Sequence, residues 1–199
     1  MENEKRRLKI SFNSPVVLSF ALICLVAFVL GKLTNDASTR LLFSVYRAPL
    51  SSPSTWLRFI GHVFGHAGWE HFFGNITLLL VVGPVLEEKY GSFNLLIVIL
   101  ATALVTGLVH FLLFPHVQLL GASGVVFAFI LLASFSGYQD GAVPFTFLLV
   151  AAIYIGGQIY NALFVSDNVA NLTHILGGAV GSGLGYVMEK YKMSRYHQG

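Results

Sequence analysis

The sequence predicts an all-α polytopic membrane protein, a bundle of six transmembrane helices, and three observations carry that prediction. Of its 199 residues, 55% are apolar and only 11% charged, well below the quarter that soluble domains carry. Between Gly91 and Met188, 98 consecutive positions hold no Lys, Arg or Glu and only two Asp, Asp140 and Asp167. The basic residues cluster outside the apolar runs: Lys5, Arg6, Arg7 and Lys9 precede the first, and Lys190, Lys192 and Arg195 follow the last. The net charge of +3 therefore marks membrane flanks, not a nucleic-acid surface. Intrinsic disorder is excluded by apolarity, and the single Cys24 permits no internal disulfide.

The first span is Pro15 to Leu33, opened by a proline suited to a first helical turn and close to the ~20 residues a crossing requires. A cleaved signal peptide would also start with a basic head and an apolar core. No small-x-small cleavage site follows, however, and Lys32 to Arg40 reads as an ordinary polar exit. Residues 34–70 form a long loop with Pro49, Pro53, a short amphipathic patch at Leu41–Tyr46, and Trp56 and Trp69 suited to headgroup level. Span two runs from His71 to Glu87, with Gly83-Pro84 expected to kink its far end. Span three is Phe93–Phe114 and span four Leu120–Phe135, followed by a turn-like segment at 137–141. Span five is Val143–Phe164 and span six Val169–Met188. Spans two, four and six read as the short, polar-interrupted ones. The chain thus divides into a basic N-terminus (1–14), a six-span core (15–189) and a basic tail (190–199).

Six spans put both termini on one side. A cytoplasmic N-terminus assigns eight of the twelve basic residues to the cytoplasm; Lys32, Arg40, Arg47 and Arg58 fall at the end of span one or in the long loop, where the rule loses force. Spans two, four and six then all begin on the outer side.

Unpaired polar groups in hydrocarbon cost several kcal/mol, so polar residues inside spans are the informative ones. His71 and Asn75 lie at i and i+4 near the start of span two. Gly121-Ala122-Ser123-Gly124 opens span four. His174 begins span six, ahead of Gly177, Gly181 and Gly185. Span order and orientation bring all of them to similar depth. Taken singly, Ser123 between glycines is a packing residue, the glycine ladder a smooth helix face, and Asn75 interhelical glue. Jointly they fit acyl transfer: a Ser123 hydroxyl deprotonated by a His174 imidazole, with the Asn75 amide, a His71 N–H and the Ser123 backbone N–H available to an oxyanion. No Asp or Glu is expected near enough in depth to orient His174, so the pair reads as a dyad.

These residues resemble the rhomboid family of intramembrane serine proteases. His62-x3-His66-x4-His71-x3-Asn75, with Gly83 and Glu87, is similar to its loop-and-span-two signature. Gly121-Ala122-Ser123-Gly124 resembles its GxSG motif, and His174 with Gly177, Gly178 and Gly181 its span-six pattern. Trp56-Leu57-Arg58 is similar to a first-loop Trp-Arg motif with one residue inserted. The resemblance covers Trp56 to Gly185. It implies a six-helix core with Ser123 as nucleophile, His174 as general base, and His71 and Asn75 lining the oxyanion hole. It further implies single-pass transmembrane protein substrates cut in or near their spans, small residues at the cut, contact with membrane lipid, and neither cofactor nor metal. The location implied is a cell inner (plasma) membrane, with the active site opening to the extracytoplasmic side, in the minimal bacterial form. One departure is visible: Phe127 stands where the family often carries a Tyr that stacks on the catalytic His, and a Phe can still stack.

Three other readings fit these residues less well. His62, His66 and His71 could be zinc ligands, but the Glu a zinc protease places beside its first His is missing, since Val63 follows His62; hydrogen bonds that tie down the first loop are the expected use of these histidines, with Glu70 their only obvious local anion. A transporter would carry polar groups toward both faces. A catalytically inactive binder of membrane clients is opposed by the retention of both Ser123 and His174.

Overall fold

Pro15 starts the first helix and the apolar run carries it to Leu33 (α1, Pro15–Leu33), matching the expected span. The computed structural model describes residues 12–138, 142–164 and 168–196. Among these, seven further α-helices follow: α2 (Ala37–Leu42), α3 (Pro53–Gly61), α4 (Trp69–Tyr90), α5 (Ser92–Leu113), α6 (Ser123–Phe135), α7 (Phe145–Phe164) and α8 (Asn168–Tyr196). The only strand-like pairing among them is an isolated antiparallel bridge between Val45 and Leu119.

Three of the helices, α1, α4 and α5, are long and apolar enough to cross a membrane, and α6 is a shorter apolar helix. α1 and α5 are apolar on their outer faces too, with Leu22, Val26, Leu104 and Leu108 exposed, as befits helices bathed in lipid. Their inner faces converge on a core of Phe20, Cys24, Phe28, Leu79, Leu95, Val98, Phe129 and Leu132.

The boundaries correct one expectation. α4 spans 22 residues and α8 spans 29, so of the three spans expected to be short only α6, with 13 residues, is so. α4 also continues through Gly83-Pro84 to Tyr90. Gly83 has a packing reason to be there, because a β-carbon would come within 2.8 Å of the Val17 side chain; this is where α1 and α4 cross. At the other end of the chain, Lys190, Lys192 and Arg195 extend α8 to Tyr196, since Lys and Arg are good helix formers.

Glu87 fastens the start of α1. Ser14 precedes that helix with φ 64° and offers no side-chain cap, leaving first-turn N–H groups without partners. The buried Glu87 carboxylate accepts from the Val16 and Val17 N–H groups at 2.9 Å each and from the Ser92 hydroxyl at 2.7 Å, and its charge suits the positive end of the α1 dipole. Near the same end, Lys89 pairs with Glu189 at 2.7 Å and the Tyr90 hydroxyl donates to Glu189 at 2.7 Å, joining α4 to α8.

The segment expected as a loop contains α2, α3 and a 3-10 turn at His62–Phe64. Arg58 is buried, with its guanidinium 4.1 Å from the Tyr46 ring centroid, donating to the Tyr46 hydroxyl at 2.6 Å and to Thr55 at 2.9 Å. Trp56 instead stays exposed and donates to the Leu50 carbonyl at 2.8 Å. Arg47 donates to the Phe111 and Leu112 carbonyls at 3.2 and 2.6 Å, satisfying the C-terminal end of α5. His62 does tie the loop down: its Nδ1 donates to the Arg58 carbonyl and its Nε2 meets the Thr106 hydroxyl on α5, both at 3.2 Å.

Candidate active site

Ser123 stands at the first position of α6, and three features put it there. Gly121 adopts φ 135°, a backbone conformation that favours glycine, and turns the chain into the helix. The first bond of the helix runs from the Val126 N–H to the Ala122 carbonyl, so the N–H groups of Ser123, Gly124 and Val125 lack intrahelical acceptors. The segment before the turn is held by the first loop: Val45 and Leu119 exchange two backbone bonds of 2.9 Å, and the Gly121 N–H donates to the His62 carbonyl at 2.9 Å.

Glycine also brings α8 against α6. A β-carbon at Gly177 would overlap the Gly124 carbonyl, one at Gly181 the Ala128 carbonyl, and one at Gly185 would come within 3.0 Å of Leu132. Lipid tails give two helices little hydrophobic reason to associate, so close backbone approach is what holds them. His174 lies one turn before Gly177 and so reaches α6 near Ser123. Its ring lies 4.3 Å from that of Phe127, centroid to centroid and tilted by 49°. Ser123 and Phe127 share a face of α6, at i and i+4. Phe127 therefore packs against this histidine, as expected, but with the rings tilted and not stacked.

α4 supplies the opposite wall. The His71 ring packs on Gly121, so that a β-carbon there would come within 2.7 Å of it. Asn75, one turn on and buried, donates from Nδ2 to the His71 carbonyl at 2.9 Å. An amide has two N–H protons, which leaves one for the space beyond.

That space is a cavity of about 620 Å³ lined by His71, Asn75, Ser123, Phe127 and His174, together with Glu70, Gly74, Leu78, Val117–Leu120 and Val126. All four residues singled out from the sequence therefore meet in one hollow. Glu70 was missed as a cavity residue, and it makes no hydrogen bond or ion pair among the described residues. Its signal was available: Glu70, Gly74 and Leu78 fall at i, i+4 and i+8, one ridge over from His71 and Asn75.

The three histidines of the first motif do not gather as ligands. His62 faces α5, His66 donates to the Phe64 carbonyl at 3.2 Å, and the His66 and His71 rings meet edge-on at 5.1 Å. Among the described residues no group of three or more His, Cys, Asp or Glu is positioned to hold a metal. Burial holds the His62 imidazole down from its usual 6.5 to about 4. His66 is likewise lowered to about 4, by burial first and then by neighbouring His71.

A rhomboid-domain profile matches residues 53–191, an interval containing the whole cavity lining. The chain belongs to the rhomboid family. Rhomboid-related protein 1 of Caenorhabditis elegans is 29% identical over 150 residues, 71% of this chain and 42% of that protein. Mouse rhomboid-related protein 2 is 29% identical over 152 residues, covering 70% of this chain and 50% of the relative. The rhomboid protease GlpG of Klebsiella pneumoniae is 24% identical over 177 residues, 87% of this chain and 63% of the relative. The chain thus spans about half the length of the curated relatives it matches. Family membership and the long apolar helices together make this rhomboid a multi-pass membrane protein.

Proposed function

We propose that this rhomboid is an intramembrane serine endopeptidase that hydrolyses peptide bonds in or near the membrane spans of single-pass proteins by a Ser123–His174 dyad. The observation that carries this reading is the single cavity shared by Ser123, His174, His71 and Asn75.

In this reading the Ser123 Oγ attacks the substrate carbonyl while His174 accepts its proton. The developing oxyanion draws on the Ser123 backbone N–H, free at the helix start, and on the Asn75 and His71 side chains. Collapse breaks the C–N bond, and the proton held by His174 passes to the departing amine. A water, deprotonated by His174, then releases the acyl group from Ser123. Phe127 fixes the plane of the imidazole by packing on it, and no metal or cofactor takes part.

The same reading assigns six spans, α1, α4, α5, α6, α7 and α8, with core limits 15–189, both termini in the cytoplasm of a cell inner membrane, and the cavity open to the other side. At 13 residues α6 is about 20 Å long, short of a ~30 Å hydrocarbon layer. Its Ser123 end would therefore be recessed below the surface and reached by water through the cavity.

The decisive experiment is cleavage of a reporter transmembrane substrate by purified wild type, Ser123→Ala and His174→Ala. Both substitutions should abolish turnover in folded protein, and a fluorophosphonate should label wild type but not Ser123→Ala. Wild-type rates from both variants would overturn the assignment.

A further inference from the structure

The face of α4 toward the cavity carries two ridges, His71 with Asn75 and Glu70 with Gly74 and Leu78. Among the described residues a β-carbon at Gly74 would meet nothing within 4 Å, so against these the second ridge borders open space. Glu70 sits one turn above that opening, about 6 Å along the axis. It is exposed, and among the described residues it makes no hydrogen bond or ion pair.

Among the described residues no Lys or Arg lines the cavity, and Glu70 is the one carboxylate that does. Of the nearby basic side chains, Arg47 bonds the α5 carbonyls, Arg58 Tyr46 and Thr55, and Lys32 the Ala67 carbonyl, while Arg40 on α2 is exposed and is not part of the cavity lining. A negative charge without a countercharge, at the mouth of a largely apolar hollow, acts on whatever enters. A carboxylate in a first helical turn also favours the helix dipole, and that role alone would leave substrate choice untouched.

We propose that Glu70 is a specificity-determining residue that selects the charge of the substrate near the cut, favouring Lys or Arg and disfavouring Asp or Glu. Glu70 and Ser123 line the same cavity, so the positions sensed are residues flanking the scissile bond, on the side toward Glu70. The inference rests on the protease reading above.

The test uses one reporter transmembrane substrate in three forms, with Lys, Gln or Glu at each of those positions, cleaved by wild type, Glu70→Gln and Glu70→Lys. Wild type should prefer the Lys form over the Glu form by about tenfold in kcat/KM, and the preference should shrink in high salt. Glu70→Gln should bring the ratio near unity and Glu70→Lys should invert it. An unchanged ratio in all three enzymes overturns the charge selection while leaving the hydrolase reading intact, including the case where the variants merely lose thermal stability. If wild type cleaves not even the Gln form, the hydrolase reading fails and this inference falls with it.

Discussion

Gly181 on α8 lies directly against the carbonyl oxygen of Ala128 on α6, with no room for a β-carbon between them. Two residues further along the same helix, Gly183 is exposed and a β-carbon there would touch nothing. Gly181→Ala should therefore lower the unfolding midpoint in detergent, by the equivalent of about 1–3 kcal/mol. Gly183→Ala should hold or raise it, since alanine favours the helix by up to about 1 kcal/mol. Equal midpoints for the two variants would show that α6 and α8 are not held by this contact.

Asn75 offers the cavity one amide proton while spending the other on the His71 carbonyl. Asn75→Ala should cut kcat by about a hundredfold, the usual cost of one oxyanion donor, with KM little changed. The loss should be smaller than for Ser123→Ala, because the Ser123 N–H and His71 persist. Single-turnover cleavage of a saturating reporter measures it.

Glu87 is the acceptor for two otherwise unpartnered N–H groups of α1. Glu87→Ala strands the buried Val17 N–H and the half-buried Val16 N–H and should destabilise the fold by about 3 kcal/mol. Glu87→Gln retains one acceptor oxygen and should cost roughly half as much. Denaturant or thermal unfolding followed by circular dichroism reads both values.

Acid should weaken the first loop. His62 and His66 stay neutral in the folded protein until about pH 4, whereas in an unfolded chain they take up protons below about 6.5. Between those values the unfolded state binds more protons, so stability falls as pH drops from 6.5 toward 4 and is constant above that window. Unfolding midpoints at pH 7.5, 6, 5 and 4.5 should show this slope. His62→Gln should flatten it, and an unchanged slope in that variant would assign the effect to other groups.

The apolar stretches were legible because length alone distinguishes a crossing helix, and α1 and α5 match their expected limits within a residue. The shared cavity was legible because Ser123, His174, His71 and Asn75 are polar in places where lipid tolerates few polar groups. The first loop was harder to read. α3 is specified by Pro53 at its start and by burial of Thr55, Arg58 and Phe59, a pattern too short to stand out beside membrane spans. Its anchors, Tyr46 under Arg58 and Thr106 beside His62, are 12 and 44 positions away in sequence, and nothing local announces them. Pro84 lies inside α4, which carries on to Tyr90, so the proline does not mark the end of that helix. Glu70 was passed over because it reads equally as a helix-start carboxylate.

The paired backbone bonds between Val45 and Leu119, with the bond from Gly121 to His62, make the first loop a splint for the turn that carries Ser123. Damage to that splint would reach the chemistry without altering any residue of the hollow itself. Variants at positions 45 or 62 should consequently mimic active-site lesions, bound substrate and all, and a mutational map of turnover would extend well outside the ground a peptide ever touches.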